Sequence, residues 1–214
     1  MSGDRLAQLR TATGHDVSRE TLDTLDAFEA HFRHWNSRIN LVAPSTLPDL
    51  WDRHIMDSAQ LLHLAGSATR FLDLGSGGGF PALVIALLLK GQEGAHVAMV
   101  ESNNKKAAFL RDCAMRFGLP ASVYACRIEQ AAGRVAMPQI VTARALAALD
   151  PLLALAAPWL TQGARGLFHK GQDFRREVEE SRAHWDFDLV EHPSTCAADS
   201  VILEISGLQP RGGT

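Results

Sequence analysis

Residues 71–81 read FLDLGSGGGFP: an acidic side chain, Asp73, then Gly75, Gly77, Gly78 and Gly79 within five positions. A short apolar run leads in, and a second, 81–89, leads out. A glycine turn between a strand and a helix is where a nucleoside cofactor lies against backbone. Glycines reach positive φ and carry no Cβ to hold the ligand away. Such sites are completed by a carboxylate about 20 residues on that accepts from ribose hydroxyls, and Glu101 ends the next apolar run, 95–101. A triphosphate loop is excluded, because no Gly-Lys-Ser/Thr closes these glycines. A dinucleotide fits the spacing, since Gly77, Gly79 and Ala82 satisfy G-x-G-x-x-[GA]. Against a pyrophosphate stands Asp73, whose charge would repel phosphate and attract a cationic ligand. The bland alternatives are a turn that is glycine-rich only for close packing, and a Glu101 paired with Lys105 at i,i+4. That pair would be worth only about 0.3–0.5 kcal/mol.

The elements that must position these residues follow from periodicity. The first 65 or so residues read as helical. From Ser18, a plausible N-cap, apolar residues recur at Leu22, Leu25, Phe28, Phe32, Trp35, Ile39 and Val42, one face of a 3.6-residue period. Pro44 and Pro48 close that helix. From Arg70 the pattern changes to alternating strands (70–75, 95–101, 122–125, 139–144, 164–170) and helices (81–89, 105–117, about 150–157, 174–183). WDFDLVEH and SVILEIS read as a closing pair of strands. The expectation is an α/β fold, a Rossmann-like and mostly parallel sheet covered on both faces, whose last strand is an antiparallel edge. Residues 1–65 form an N-terminal helical cap and residues 66–214 one compact cofactor-binding domain.

Composition narrows the classes. The chain has 214 residues, 46% of them hydrophobic, and a net charge of −3, which gives no sign of disorder or of a basic tail. Three cysteines (Cys113, Cys126, Cys196) without CxxC spacing argue against a disulfide framework and a zinc site. His31 and His34 have HxxH spacing but no further ligand, so no metal is expected. No segment reads as a signal peptide or a membrane span, so a cytoplasmic location is expected. No exposed apolar stripe is evident, and a monomer is expected.

The residues Asp73, Gly75, Gly77 and Gly79 form D-x-G-x-G-x-G, which resembles the first motif of class I S-adenosylmethionine-dependent methyltransferases. Further stretches narrow the likeness: WNSRINLV (35–42), RHIMDS (53–58), ESNNKKAAFLRD (101–112), RIE (127–129), TARA (142–145) and HKG (169–171). In this order they resemble the glucose-inhibited division protein B family, the ribosomal small-subunit methyltransferases G. Val42 and Ile128 depart from the family's usual threonine and alanine; neither removes a charge. The resemblance implies transfer of a methyl group from S-adenosylmethionine to N7 of one guanine in 16S ribosomal RNA. It implies cofactor contacts at Gly75, Phe80, Ile128, Glu129 and Arg144, beside Asp73, Gly77, Gly79 and Glu101 of the loop. Phe80 can cover the ligand, Glu129 can read the adenine amino edge, and Arg144 can hold the cofactor carboxylate or a guanine O6. N7 carries a lone pair and no proton, so no proton-abstracting residue is nominated. No [ND]PP[YFW] motif of exocyclic-amine methyltransferases is present.

For the ribosomal RNA, or the small subunit that contains it, Lys105, Arg53, His54 and Lys170 are the expected contacts, because phosphates are met by cations. Arg53 and Asp57 also stand at i,i+4 as potential ion-pair partners. Two other classes share the loop. One is a nucleotide-cofactor (NAD or FAD) oxidoreductase; the other is a non-catalytic ribosome-assembly factor that binds RNA.

Overall fold

The computed structural model describes residues 2–196 and 200–212. Its elements run α1 (Ser2–Thr13), α2 (Arg19–Asn36), α3 (Asp57–Ala65), β1 (Arg70–Leu74), α4 (Ala82–Leu88), β2 (His96–Val100), α5 (Asn104–Phe117), β3 (Ala121–Tyr124), β4 (Ile140–Arg144), α6 (Leu149–Leu160), β5 (Arg165–Lys170), α7 (Phe174–Ser181), β6 (Trp185–Pro193) and β7 (Val201–Pro210). A π-helical stretch, Trp51–Met56, runs directly into α3.

The strands make one sheet in the order β3-β2-β1-β4-β5-β7-β6, in which β1 to β5 are parallel. Strands β1, β2, β4 and β5 are buried along nearly their whole length, as expected of parallel strands covered on both faces, and the polar residues among them, such as Asp73, Thr142 and His169, are buried too. One expectation needs correction. The antiparallel strand is the last one, β7, but it is not at the edge; it lies between β5 and β6. The residue pattern explains the placement. β7 begins Val-Ile-Leu and buries all three, whereas β6 carries Asp186, Asp188 and Glu191 exposed. Acidic side chains suit a sheet edge that must not pair with another chain.

The two sheet faces have separate cores. On one, α6 and α7 pack on β4, β5 and β7 through Leu153, Trp159, Phe168 and Leu203. On the other, the N-terminal helices and α4 and α5 share one continuous cluster that includes Leu9, Phe28, Phe32, Ile85 and Phe109. Helix α2 starts where Ser18 Oγ accepts the Thr21 N–H, and it turns Leu22, Leu25, Phe28 and Phe32 inward. Phe32 lies 5.1 Å from Phe80 and 5.7 Å from Phe109, in tilted and edge-on geometry. A polar clamp joins α2 to α5: the Asp112 carboxylate accepts from the Trp35 indole N–H at 3.0 Å and meets His31 Nε2 at 2.6 Å. His31 is thereby engaged by a carboxylate, and Trp35 packs against Phe109 at 5.6 Å.

Because Phe28 and Phe32 belong to the same core as the sheet helices, the helical segment and the sheet are expected to unfold together. Phe28→Ala should cost about 3–5 kcal/mol. Guanidinium unfolding of single-tryptophan variants reads this: Trp51 reports the helical segment, and Trp159 reports the sheet. Coincident midpoints are expected, and an earlier transition at Trp51 alone would show two independent units.

Candidate functional site

The chain lays β1, β2 and β3 in one direction from the centre and β4 and β5 in the other. Ligands of open α/β sheets bind where this order reverses, at the carboxyl ends of the strands. Here that point lies between β1 and β4.

At the end of β1, Asp73 is 1% exposed. The Thr142 hydroxyl of β4 donates to its Oδ1 at 2.7 Å, while Oδ2 is buried without a partner among the described residues. Burial raises its carboxyl to about 6; the Ser76 and Thr142 hydroxyls and the Arg144 charge oppose the rise, and Glu101 adds to it. The chain then turns through Gly75, Gly77 and Gly79 at φ of 68°, 54° and 84°. Gly78 is needed for a close approach, since a Cβ there would stand 2.9 Å from the Leu41 carbonyl oxygen. Leu41 is held in place by Asn36, whose Oδ1 accepts the Leu41 and Val42 N–H groups at 3.0 and 3.1 Å. The WNSRINLV stretch thus forms a brace against the glycine loop.

Glu101, at the end of β2, fixes the loop from the other side. Its Oε2 accepts the Gly77 N–H at 2.8 Å and its Oε1 accepts the Asn103 N–H at 2.7 Å. Asn103 in turn caps α5 by accepting from the Lys105 and Lys106 N–H groups. No Glu101–Lys105 ion pair forms among the described residues; the carboxylate serves the loop. Each of its oxygens keeps a second lone pair for another donor.

A cleft of about 340 Å³ opens here, lined by Gly75, Gly77, Glu101, Ile128, Glu129 and Leu146. The first five are residues expected to bind the cofactor. The cleft leaves the loop backbone uncovered at Gly77. A Cβ on Gly77 would meet only the Gly75 carbonyl oxygen, at 3.6 Å, so the backbone there is open to whatever fills the space.

Other expected residues lie elsewhere. Gly79 faces α4, where a Cβ would strike the Leu83 side chain. The Phe80 ring does not cover the cleft; it is 5% exposed and built into the aromatic core, stacked on His54 at 5.0 Å. Arg144 lines a second cavity of about 270 Å³, between the ends of β4 and β5, together with Asp57, His169, Lys170 and Glu177. Its Nη1 donates to Asp57 Oδ2 and to the Arg53 carbonyl, both at 3.2 Å, and its Nη2 donates to His54 Nδ1. The guanidinium also lies 5.4 Å from the Phe80 ring centre. Asp57 therefore pairs with Arg144 and not with Arg53. Ala145, between cleft and cavity, has φ of 52°, a left-handed conformation that costs of order 1 kcal/mol in a residue with a Cβ.

Of the expected RNA contacts, Lys105 and Arg53 are exposed. His54 is buried, its Nε2 donates to Thr46 at 3.0 Å, and burial with the Arg144 charge lowers its pKa to about 4, so it is neutral. Lys170 is 8% exposed; its ammonium pairs with Glu177 at 2.5 Å and donates to the Ala147 carbonyl at 2.8 Å. Neither is presented to a phosphate. Sequence reasoning missed Asn36, Asn103 and Glu177 as supports of the site. Asp57 and His169 stood inside quoted motifs, but nothing in the sequence showed that they would meet.

The model of the rRNA small subunit methyltransferase G family matches residues 21–203. The chain is 54% identical over 209 residues to the ribosomal RNA small subunit methyltransferase G of Chelativorans sp., covering 98% of this chain and 99% of the relative. It is 57% identical over 193 residues to the protein of that name in Brucella canis, covering 90% and 91%. Solved structures share the fold. A putative O-methyltransferase from Klebsiella pneumoniae superposes with a TM-score of 0.55 at 14% identity, covering 86% of this chain and 89% of that one. An MtNAS variant in complex with S-adenosylmethionine gives a TM-score of 0.55 at 14% identity, covering 86% and 74%. No helix of the described residues is long and apolar enough to cross a membrane. Sharing 54% and 57% identity with two such proteins over nearly their whole length, this chain belongs to the rRNA small subunit methyltransferase G family.

Proposed function

We propose that this chain transfers the methyl group of S-adenosylmethionine to N7 of a guanine in 16S ribosomal RNA and acts as a monomer on the RNA or the small subunit. The observation that carries this reading is the cleft in which Glu101 holds the Gly77 amide and faces Ile128 and Glu129. When bound, the cofactor supplies an electrophilic methyl group on a cationic sulfur. Glu101 has lone pairs free for vicinal ribose hydroxyls, and Ile128 and Glu129 border the side open to adenine. Asp73, beneath the loop, sets a negative field that favours a cation and disfavours a pyrophosphate.

Guanine N7 has no proton to lose. The chain therefore needs positioning and not a general base, and positioning alone can supply roughly 7–11 kcal/mol. The site agrees with that economy. His54 is held neutral, and its imidazole is fully engaged by Thr46 and Arg144. Exposed Lys105 and Arg53 suit RNA phosphates.

Transfer of labelled methyl from S-adenosylmethionine to small subunits, followed by mapping of the nucleotide, tests the proposal. Label in protein, or binding of NAD(H) without S-adenosylmethionine, would overturn it. Three variants refine it. Arg144→Ala should lower transfer by about a hundredfold or more. It should stay folded, because Asp57 keeps Gln60 Nε2 at 2.8 Å and Ser194 Oγ at 3.2 Å; unchanged turnover would remove Arg144 from the site. Glu101→Gln should weaken cofactor binding by roughly tenfold or more, read by calorimetry, since hydrogen bonds to a charged group are worth about 1.5–3 kcal/mol. Asp73 gives a pH signature. Its folded pKa, about 6, lies above its unfolded value. The stability it contributes is thus full below about pH 4 and lost as pH rises through 6, beyond which the buried charge costs roughly 3 kcal/mol. Asp73→Asn should melt above the wild type at pH 8 and level with it below pH 4, while binding cofactor more weakly. An asparagine variant that melts lower at pH 8 would disprove the buried-charge cost.

A further inference from the structure

The cavity between the ends of β4 and β5 is separate from the cofactor cleft, yet Ala145 and Leu146 line both. Its walls carry ionisable side chains: Asp57, Arg144, His169, Lys170 and Glu177. Lys170 and Glu177 neutralise one another. What remains is a donor and an acceptor. Arg144 spends three of its five N–H groups on Arg53, Asp57 and His54, leaving Nε and one Nη2 hydrogen without a protein acceptor among the described residues. The acceptor is His169. Its Nε2 lies 3.1 Å from the Asp57 carbonyl oxygen, which can only accept, so Nε2 carries the hydrogen. Nδ1 is then a bare lone pair, buried with no partner among the described residues, on a residue that lines the cavity. Burial and the Arg144 charge favour this neutral form, against the pull of Asp57.

We propose that this cavity receives the target guanine, with Arg144 donating to O6 and His169 Nδ1 accepting from the N1–H and N2–H edge. The assignment rests on the guanine-N7 function proposed above. An enzyme that modifies a base takes it out of the stack into a pocket. For methylation at N7, the N7–O6 edge must face the cofactor side of the pocket, marked here by the Ala145–Leu146 wall. Arg144, the residue immediately before that wall, meets the oxygen beside N7. Beyond O6 on the Watson–Crick edge guanine presents two donors, N1–H and N2–H, and His169 Nδ1 is an acceptor without a partner among the described residues. Adenine reverses both positions: it sets an amino donor against Arg144 and brings no N1–H to His169. The pair therefore selects guanine.

Two substitutions separate recognition from support. His169→Gln can keep a donor at the Nε2 position for the Asp57 carbonyl while removing the Nδ1 acceptor. His169→Asn keeps an acceptor at the Nδ1 position and gives up the Asp57 bond. For base recognition, His169→Gln should lower kcat/KM for small subunits by roughly tenfold to a hundredfold, with cofactor affinity and melting temperature unchanged, and His169→Asn should retain more activity. A purely structural histidine predicts the reverse order, and that result, or equal activity of His169→Gln and wild type, would overturn the assignment. Wild-type protein that transfers no methyl to guanine N7 would instead refute the function on which it rests.

Discussion

The Asp57–Arg144 contact is the constraint on which the site depends. Asp57 opens α3, at the end of the N-terminal helical segment, and Arg144 closes β4, so one ion pair ties the first quarter of the chain to the centre of the sheet. Such a pair is costly to bury and persists when further hydrogen bonds satisfy both partners. That condition holds here. Asp57 also accepts from Gln60 and Ser194, and Arg144 also donates to a carbonyl and an imidazole while lying over Phe80. Removing the helical segment would leave a desolvated arginine at the switch point of the sheet. The segment is thus part of the site's electrostatics as well as its cover.

A second brace acts on the cofactor side. The glycine loop is free of side chains and would be mobile if nothing held it. Glu101 holds it at Gly77, and Leu41 presses on it at Gly78. Both braces are set by short-range capping chemistry, Asn103 at the start of α5 and Asn36 at the end of α2. Two asparagines thereby help set where the glycine-loop backbone lies, the kind of preorganisation that a reaction driven by positioning would use.

The sequence made the glycine turn, the carboxylate ending β2 and a mostly parallel sheet legible, because each rests on local pattern. Glycine at positive φ, a carboxylate ending a strand and a two-sided apolar run all carry their signal within a few residues. Side-chain direction was less legible. Phe80 follows the loop and reads as a ligand cover, yet the apolar face of α2 offers it a fuller burial against Phe28 and Phe32. Lys170 reads as a phosphate contact until Glu177, seven residues later, neutralises it. The edge position of the final strand failed for a similar reason. Two closing strands were visible, but which one takes the edge depends on comparing their polar faces, and β7 is the more apolar.

On the proposed assignment, the two cavities divide the work of the reaction. One is built from glycine backbone and a carboxylate and suits a cationic nucleoside. The other is built from a guanidinium, an imidazole and a neutralised lysine and suits a neutral planar base. Ala145 stands between them in a conformation that alanine rarely adopts. A relaxed backbone there would change the direction of the chain immediately after Arg144 and alter the wall the two cavities share. The strained residue thus sits in the wall that both cavities share, directly after the strand β4 that pairs with β1 and β5.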